Sequence, residues 1–306
     1  MNPLRGIALK ISSVAVFTVM AICIKTSAAH VPPGQAVFFR SLFAIPVIVG
    51  WLAVMGNLRH GLDTTNPMGH LWRGLVGTTA MGLGFTALGL LPLPEATALG
   101  YAAPLLVVIF AAMFLGEQVR AFRLIAVFVG LLGVVIVLSP RLSVTPDQAS
   151  AIEALGAMAA LGGAVFAALA QIFVRRLITT EATAPIVFYF SVTASILALA
   201  TLPFGWVVPT AGEAALLVAA GLCGGFGQVL LTESYRHAEV GVIAPFDYVS
   251  MLFALVLGYL LFEETPTATM LTGAALIVTA GLFIIWRERR LGLQRAAARK
   301  VVTPQG

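Results

Sequence analysis

The sequence predicts an all-α integral membrane protein of about ten transmembrane helices, built as two inverted five-helix repeats. Three observations carry this prediction. The chain is 59% hydrophobic and only 10% charged across 306 residues, with a mean hydropathy of +0.99. Soluble domains carry about 25% charged residues, so most of this chain's surface has to face lipid. Its apolar runs are long enough to cross a bilayer core of about 30 Å. Finally, its two halves resemble each other at an offset of about 147 residues.

Apolar runs broken by Pro, Gly and charged residues place the spans at approximately 6–26, 35–55, 73–91, 95–115, 121–138, 154–174, 185–204, 213–234, 240–262 and 268–286. The first could pass for a secretory leader, since Arg5 and Lys10 precede the apolar run Ile11–Ile24. Lys25 interrupts the cleavage region and further spans follow, so an uncleaved first helix is the better reading. The polar stretch Ser139–Glu153 reads as a linker. The organisation expected is a first repeat over 5–139, an outer linker over 140–151, a second repeat over 152–287 and a basic cytoplasmic tail over 288–306.

Basic residues set the orientation, because Lys and Arg are retained on the cytoplasmic side. With the N-terminus inside, the inner ends and loops hold Arg5, Lys10, Arg59, Arg73, Arg120, Arg123, Arg175, Arg176 and Arg236, and the tail adds Arg287, Arg289, Arg290, Arg295, Arg299 and Lys300. The exceptions among the 18 bases are Lys25, Arg40 and Arg141. Both termini are therefore expected in the cytoplasm of a multi-pass inner-membrane protein. The net charge of +5 belongs to this topology signal and to anionic headgroups rather than to nucleic acid. Cys23 and Cys223 lie in apolar segments and form neither a disulfide framework nor a metal site.

The duplication is visible in Glu117–Ala121 against Glu264–Ala268, each followed by an apolar, glycine-bearing helix, and in Phe38-Phe39 against Phe188-Tyr189. An odd number of spans per half turns the second copy upside down. Inverted repeats of this kind enclose a site near the midplane that can open to either side in turn.

Several segments carry a family resemblance. They are Ala36-Val37-Phe38-Phe39-Arg40-Ser41-Leu42-Phe43, Glu95-Ala96-Thr97-Ala98-Leu99-Gly100-Tyr101-Ala102-Ala103-Pro104-Leu105 and Phe114-Leu115-Gly116-Glu117, with Leu261-Phe262-Glu263-Glu264 and the stretch Gly273–Arg287 in the second half. In order and spacing the chain resembles the EamA-type branch of the drug/metabolite transporter superfamily. The resemblance implies ten helices, alternating access, and small metabolites such as amino acids, nucleotides or vitamins as substrates. Asp247-Tyr248 departs from it, standing where the first half has Tyr101-Ala102.

Ionisable and polar groups inside spans are the candidate site residues, since a charge near the bilayer centre costs at least about 2.5–3.5 kcal/mol. Arg40 suits an anionic or carboxylate group; its bland alternatives are snorkelling or pairing with Glu95. Glu95, Tyr101, Gln171, Tyr189, Gln228, Asp247 and Tyr248 complete the translocation set. Asp247 has no base near it in sequence, so it either binds a cation, carries a proton, or pairs across the bundle. Pro46, Pro104 and Pro245 are hinge candidates that are equally well read as structural kinks. Gly74, Thr78, Gly82 and Thr86 form a small-residue ridge suited to close helix packing. Glu117 and Glu264 read as helix-terminal residues, and Glu233 as the partner of Arg236.

The function expected is secondary transport of a small-molecule substrate within the lipid bilayer, with no cofactor and no metal; a homodimer is left open. A channel or structural membrane subunit is the alternative. An intramembrane enzyme is least favoured, because His30, His60, His70 and His237 fall in loops or at helix ends and no nucleophile or metal motif occurs.

Overall fold

The computed structural model describes residues 3–302 apart from 59, 116–120, 143–147, 178–179 and 238–243. Among the described residues the chain is helical, without strands. Its helices are α1 (Pro3–Ser27), α2 (Pro33–Val54), α3 (Pro67–Leu90), α4 (Leu93–Gly100), α5 (Ala102–Leu115), α6 (Ala121–Leu142), α7 (Gln148–Leu177), α8 (Thr183–Leu199), α9 (Ala211–His237), a 3₁₀ turn (Ala244–Tyr248), α10 (Val249–Phe262) and α11 (Ala268–Val302).

Helix starts follow local chemistry. Pro33 and Pro67 occupy first-turn positions, where the missing N–H is not needed. The Asn66 side chain accepts from the Gly69 N–H at 2.9 Å and caps α3. Thr210 and Glu213 cap the start of α9 reciprocally: the Glu213 carboxylate accepts from the Thr210 N–H at 2.7 Å, and the Thr210 hydroxyl accepts from the Glu213 N–H.

Seven stretches are long and apolar enough to cross a membrane: Leu4–Ser27, Pro33–Val54, Leu93–Phe114, Ala121–Pro140, Ala151–Val174, Ala211–Leu231 and Ala268–Arg287. Thr183–Leu199 and Phe246–Phe262 are apolar but shorter. Helix α3 has the length, with 24 residues, but His70, Arg73 and its run of Gly and Thr lower its apolar character. Outward faces carry large apolar side chains at helical spacing, as with Leu124, Phe128, Leu132 and Val135 on α6 and Leu252, Val256 and Tyr259 on α10. Faces of this kind are what a lipid solvent requires.

The span expected over 95–115 is interrupted. It divides into α4 and α5 at Tyr101 (φ −70°, ψ −4°). Pro104 has no N–H to donate to the Gly100 carbonyl, so the helical ladder loses its bond at that point. Pro46 lies within an unbroken α2, and Pro245 lies in the 3₁₀ turn. The polar centre of the chain is also more helical than a linker would be: α6 runs to Leu142 and α7 begins at Gln148.

Packing pairs helices from the two halves. Helix α1 lies along α9, and α3 lies along α7; α2 packs on both α8 and α9, and α6 on α11. The Ser13 hydroxyl donates to the Gly227 carbonyl at 2.8 Å, fastening α1 to α9. At the α6–α11 crossing, Gly133 and Gly273 face each other. A Cβ at Gly133 would stand 2.7 Å from the Gly273 oxygen, so only glycine allows this backbone approach. On α3 the ridge is used only in part: Gly74 meets Thr193 of α8, whereas Gly82 has nothing within 4 Å.

Candidate functional site

Two arginines approach one ring inside the helix bundle, Arg40 buried and Arg73 half-buried. Arg40, on α2, is 4% exposed. Its guanidinium carbon lies 5.8 Å from the ring centroid of Phe190 on α8, and that of Arg73, on α3, lies 4.1 Å from the same ring. The Nε of Arg40 and the Nε and Nη1 of Arg73 are shielded from solvent and have no hydrogen-bond partner. Among the described residues no carboxylate forms an ion pair with either group. The Arg40–Glu95 pairing is therefore absent, although Glu95 is itself buried on α4.

Two glycines make room for the guanidinium groups. A Cβ at Gly224 of α9 would stand 2.9 Å from the Arg40 Nε, and one at Gly77 would collide with the Arg73 Nη1. On the same helices, the hydroxyls of Ser41 (α2), Thr78 (α3) and Ser191 (α8) are buried without partners. The sequence places Arg73 among the inner-face topology charges. Its guanidinium lies against Phe190 within the bundle, with the side chain half-buried.

A second cluster joins three of the expected residues. The Lys10 ammonium on α1 lies 2.6 Å from the Asp247 carboxylate; Lys10 is 3% exposed and Asp247 51%. The Tyr101 hydroxyl meets the Ser250 hydroxyl and the Asp247 carbonyl, and the Tyr101 and Tyr248 rings meet edge to face at 5.0 Å. The helix break at Tyr101 and the 3₁₀ turn before α10 put these groups at one level. Asp247 thus has its base across the bundle rather than nearby in sequence.

A third cluster closes the opposite end of α1. Lys25 lies 2.9 Å from Glu264 and donates to the Leu91 carbonyl at 2.6 Å, while Glu264 accepts from the Leu93 N–H at 2.7 Å. Glu263 adopts the left-handed conformation (φ 55°) that ends α10 and turns the chain so that Glu264 faces α1. An apolar cavity of about 200 Å³ lies beside this lock, lined by Ile24, Ala28, Val31, Phe85 and Thr86. Glu264, read in the sequence only as a helix end, therefore ties α1, α4 and α10 together.

The remaining candidates lie elsewhere. The Tyr189 hydroxyl donates to the Leu62 carbonyl at 3.0 Å, and its ring packs on His70. Beside them, the Glu181 carboxylate accepts from the Thr65 N–H and hydroxyl, the Thr64 hydroxyl and the Asn66 N–H. Burial pushes the Glu181 carboxyl up, but these hydrogen bonds outweigh it and hold it below the ordinary carboxylate range. Gln228 borders a small cleft with Ile48, Trp51 and Val187, and Gln171 is exposed on α7. Arg176 of α7 donates to the Phe114 carbonyl of α5 at 2.8 Å. Glu117 falls outside the described residues, as does the side chain of Arg236, the expected partner of Glu233.

Known proteins match this architecture along its length. Residues 4–139 and 154–286 each match the model of the EamA-like transporter family. The chain is 33% identical to the pseudopaline exporter CntI of Pseudomonas aeruginosa (strain UCBPP-PA14), covering 90% of this chain and 94% of that one. It is 26% identical to the S-adenosylmethionine uptake transporter of Rickettsia prowazekii, with 94% of each covered. It is 30% identical to the riboflavin transporter of Rhizobium johnstonii, covering 85% of this chain and 83% of that one. A solved crystal structure shares the fold with a TM-score of 0.66 at 22% identity, over 94% of this chain and 98% of the other. The chain belongs to the EamA-like transporter family and is a multi-pass membrane transporter, not an enzyme.

Proposed function

We propose that the protein is a secondary transporter that carries a small metabolite across the inner membrane by alternating access. In this reading ten helices form two five-helix repeats of opposite orientation, with both termini in the cytoplasm. The observation that carries it is the exchange of packing between halves: α1 of the first lies along α9 of the second, as α7 of the second lies along α3 of the first. A pair of repeats related by a twofold axis in the membrane plane would pack in this way. The tandem family match supports the same reading, and the relatives named for pseudopaline, S-adenosylmethionine and riboflavin favour a small metabolite as cargo.

One ion pair and one charge-assisted hydrogen bond supply locks that such a cycle needs. Lys25 and Glu264 hold the outer ends of α1 and α10 together. Arg176 and the Phe114 carbonyl join α7 to α5 at the inner end, in the corresponding place of the other repeat. Each lock must open when its side of the membrane is accessible, so their interconversion sets the cycle.

Counterflow in proteoliposomes tests the proposal. Vesicles loaded with unlabelled riboflavin or S-adenosylmethionine, and in parallel with a mixed metabolite extract, should transiently accumulate the labelled form of the cargo above equilibrium. A flux that rises linearly with concentration, with no stimulation by cargo on the opposite side, would mark a channel and refute the carrier.

A further inference from the structure

We propose that Arg40 and Arg73 form the binding site for a substrate carrying two carboxylates. The inference rests on the transporter reading and names its cargo class.

Two guanidinium groups share one aromatic ring inside the bundle, with solvent-shielded N–H donors that bond to nothing. A cation–π contact contributes about 0.5–2 kcal/mol. Burying a cation costs several kcal/mol, and here two like charges are brought to one residue. The ring therefore does not balance the burial, and no carboxylate among the described residues does so either. An anion entering from outside would complete the balance. A single carboxylate leaves one guanidinium uncompensated; a dianion satisfies both.

The chemistry of the donors favours carboxylate. Each arginine presents a planar fork that matches two carboxylate oxygens. The partnerless hydroxyls of Ser41, Thr78 and Ser191 lie on the same three helices, and rotation lets each donate to an oxygen atom. The placement also suits a carrier. Arg40 and Arg73 belong to the first repeat, while Phe190 and Gly224, which shape the space around them, belong to the second. A ligand bridging the forks would contact both halves and bias their relative position.

The test is thermal unfolding of the purified full-length protein in nanodiscs, at constant ionic strength. The probes are a dicarboxylate series from succinate to adipate, with acetate and sulfate as comparisons. At least one dicarboxylate should raise the melting temperature in a saturable manner, while acetate and sulfate should not. Arg40→Gln and Arg73→Gln should each abolish the shift. Arg40→Lys and Arg73→Lys, which keep the charge and the fold but lose the fork, should weaken the apparent affinity by about tenfold or more. His60→Gln, on an exposed loop side chain, should leave it unchanged. Absence of any dicarboxylate shift, equal shifts with sulfate, or an undiminished apparent affinity in the lysine variants would each overturn the assignment. The result separates from that of the carrier proposal. Dicarboxylate binding without counterflow would refute the carrier and leave the site standing; counterflow of a cargo lacking carboxylates would do the reverse.

Discussion

Lys10 and Lys25 of α1 grip the two ends of a single helix: Lys10 pairs with Asp247 just before α10 begins, and Lys25 with Glu264 just after it ends. Both pairs advance in the same chain direction, so α1 and α10 run parallel. A helix held at both ends cannot tilt away without breaking one pair. The two pairs differ in environment. Lys25 and Glu264 are 12% and 15% exposed, whereas Asp247 is half exposed.

Glu264→Gln should destabilise the protein, because it leaves the Lys25 ammonium short of its counter-charge. Loss of one partner from a buried pair costs about 3–5 kcal/mol, and the residual exposure here points to the lower end. Thermal unfolding should report a lower melting temperature. A charge-swapped Lys25→Glu, Glu264→Lys protein should recover part of it.

Asp247→Asn should reduce flux at least tenfold, since it removes the charge that pairs with Lys10 beside the Tyr101 hydroxyl network. The pair should also couple energetically. A double-mutant cycle of Lys10→Met and Asp247→Asn should give about 1–3 kcal/mol of interaction. Unaltered flux in Asp247→Asn would remove this pair from the transport cycle.

Glu181 confers a pH dependence of known sign. Its folded-state carboxyl sits below the ordinary value of about 4.3, held there by the loop donors of Thr64, Thr65 and Asn66. The stabilisation is complete above the ordinary value and is lost as pH falls through the folded one. Wild-type stability should therefore drop on acidification below pH about 4, and Glu181→Gln should be less stable at neutral pH with a shallower acid slope. Melting curves across that range read both.

Gly133→Ala should destabilise by about 1–3 kcal/mol through overpacking, because its new methyl would meet the Gly273 carbonyl. Gly82→Ala, with open space around it, should be neutral or mildly stabilising. Paired unfolding measurements distinguish the two.

Much of the helix pattern was legible in the sequence, because lipid-facing and packed faces both demand apolar residues. Arg40 and Asp247 stood out because charge is costly inside a span. Arg73 did not, because its position near a helix start suggested an interface, and nothing in sequence shows which way a long side chain turns. The ion pairs were hidden for a different reason. Lys10 and Lys25 meet residues from the other end of the chain, and only the matched spacing of two bases on α1 and two acids around α10 hinted at them. Pro104 did signal a broken helix, but the break falls upstream at Tyr101, where the missing donor is felt.

Alternating access requires the Lys25–Glu264 contact to open during each cycle. Flux should be measured in a Lys25→Cys, Glu264→Cys protein, with Cys23 and Cys223 replaced by Ser, before and after bridging by a short bis-maleimide. The account predicts that counterflow is lost on bridging and survives when each cysteine is capped separately. Undiminished counterflow in fully bridged protein would contradict it.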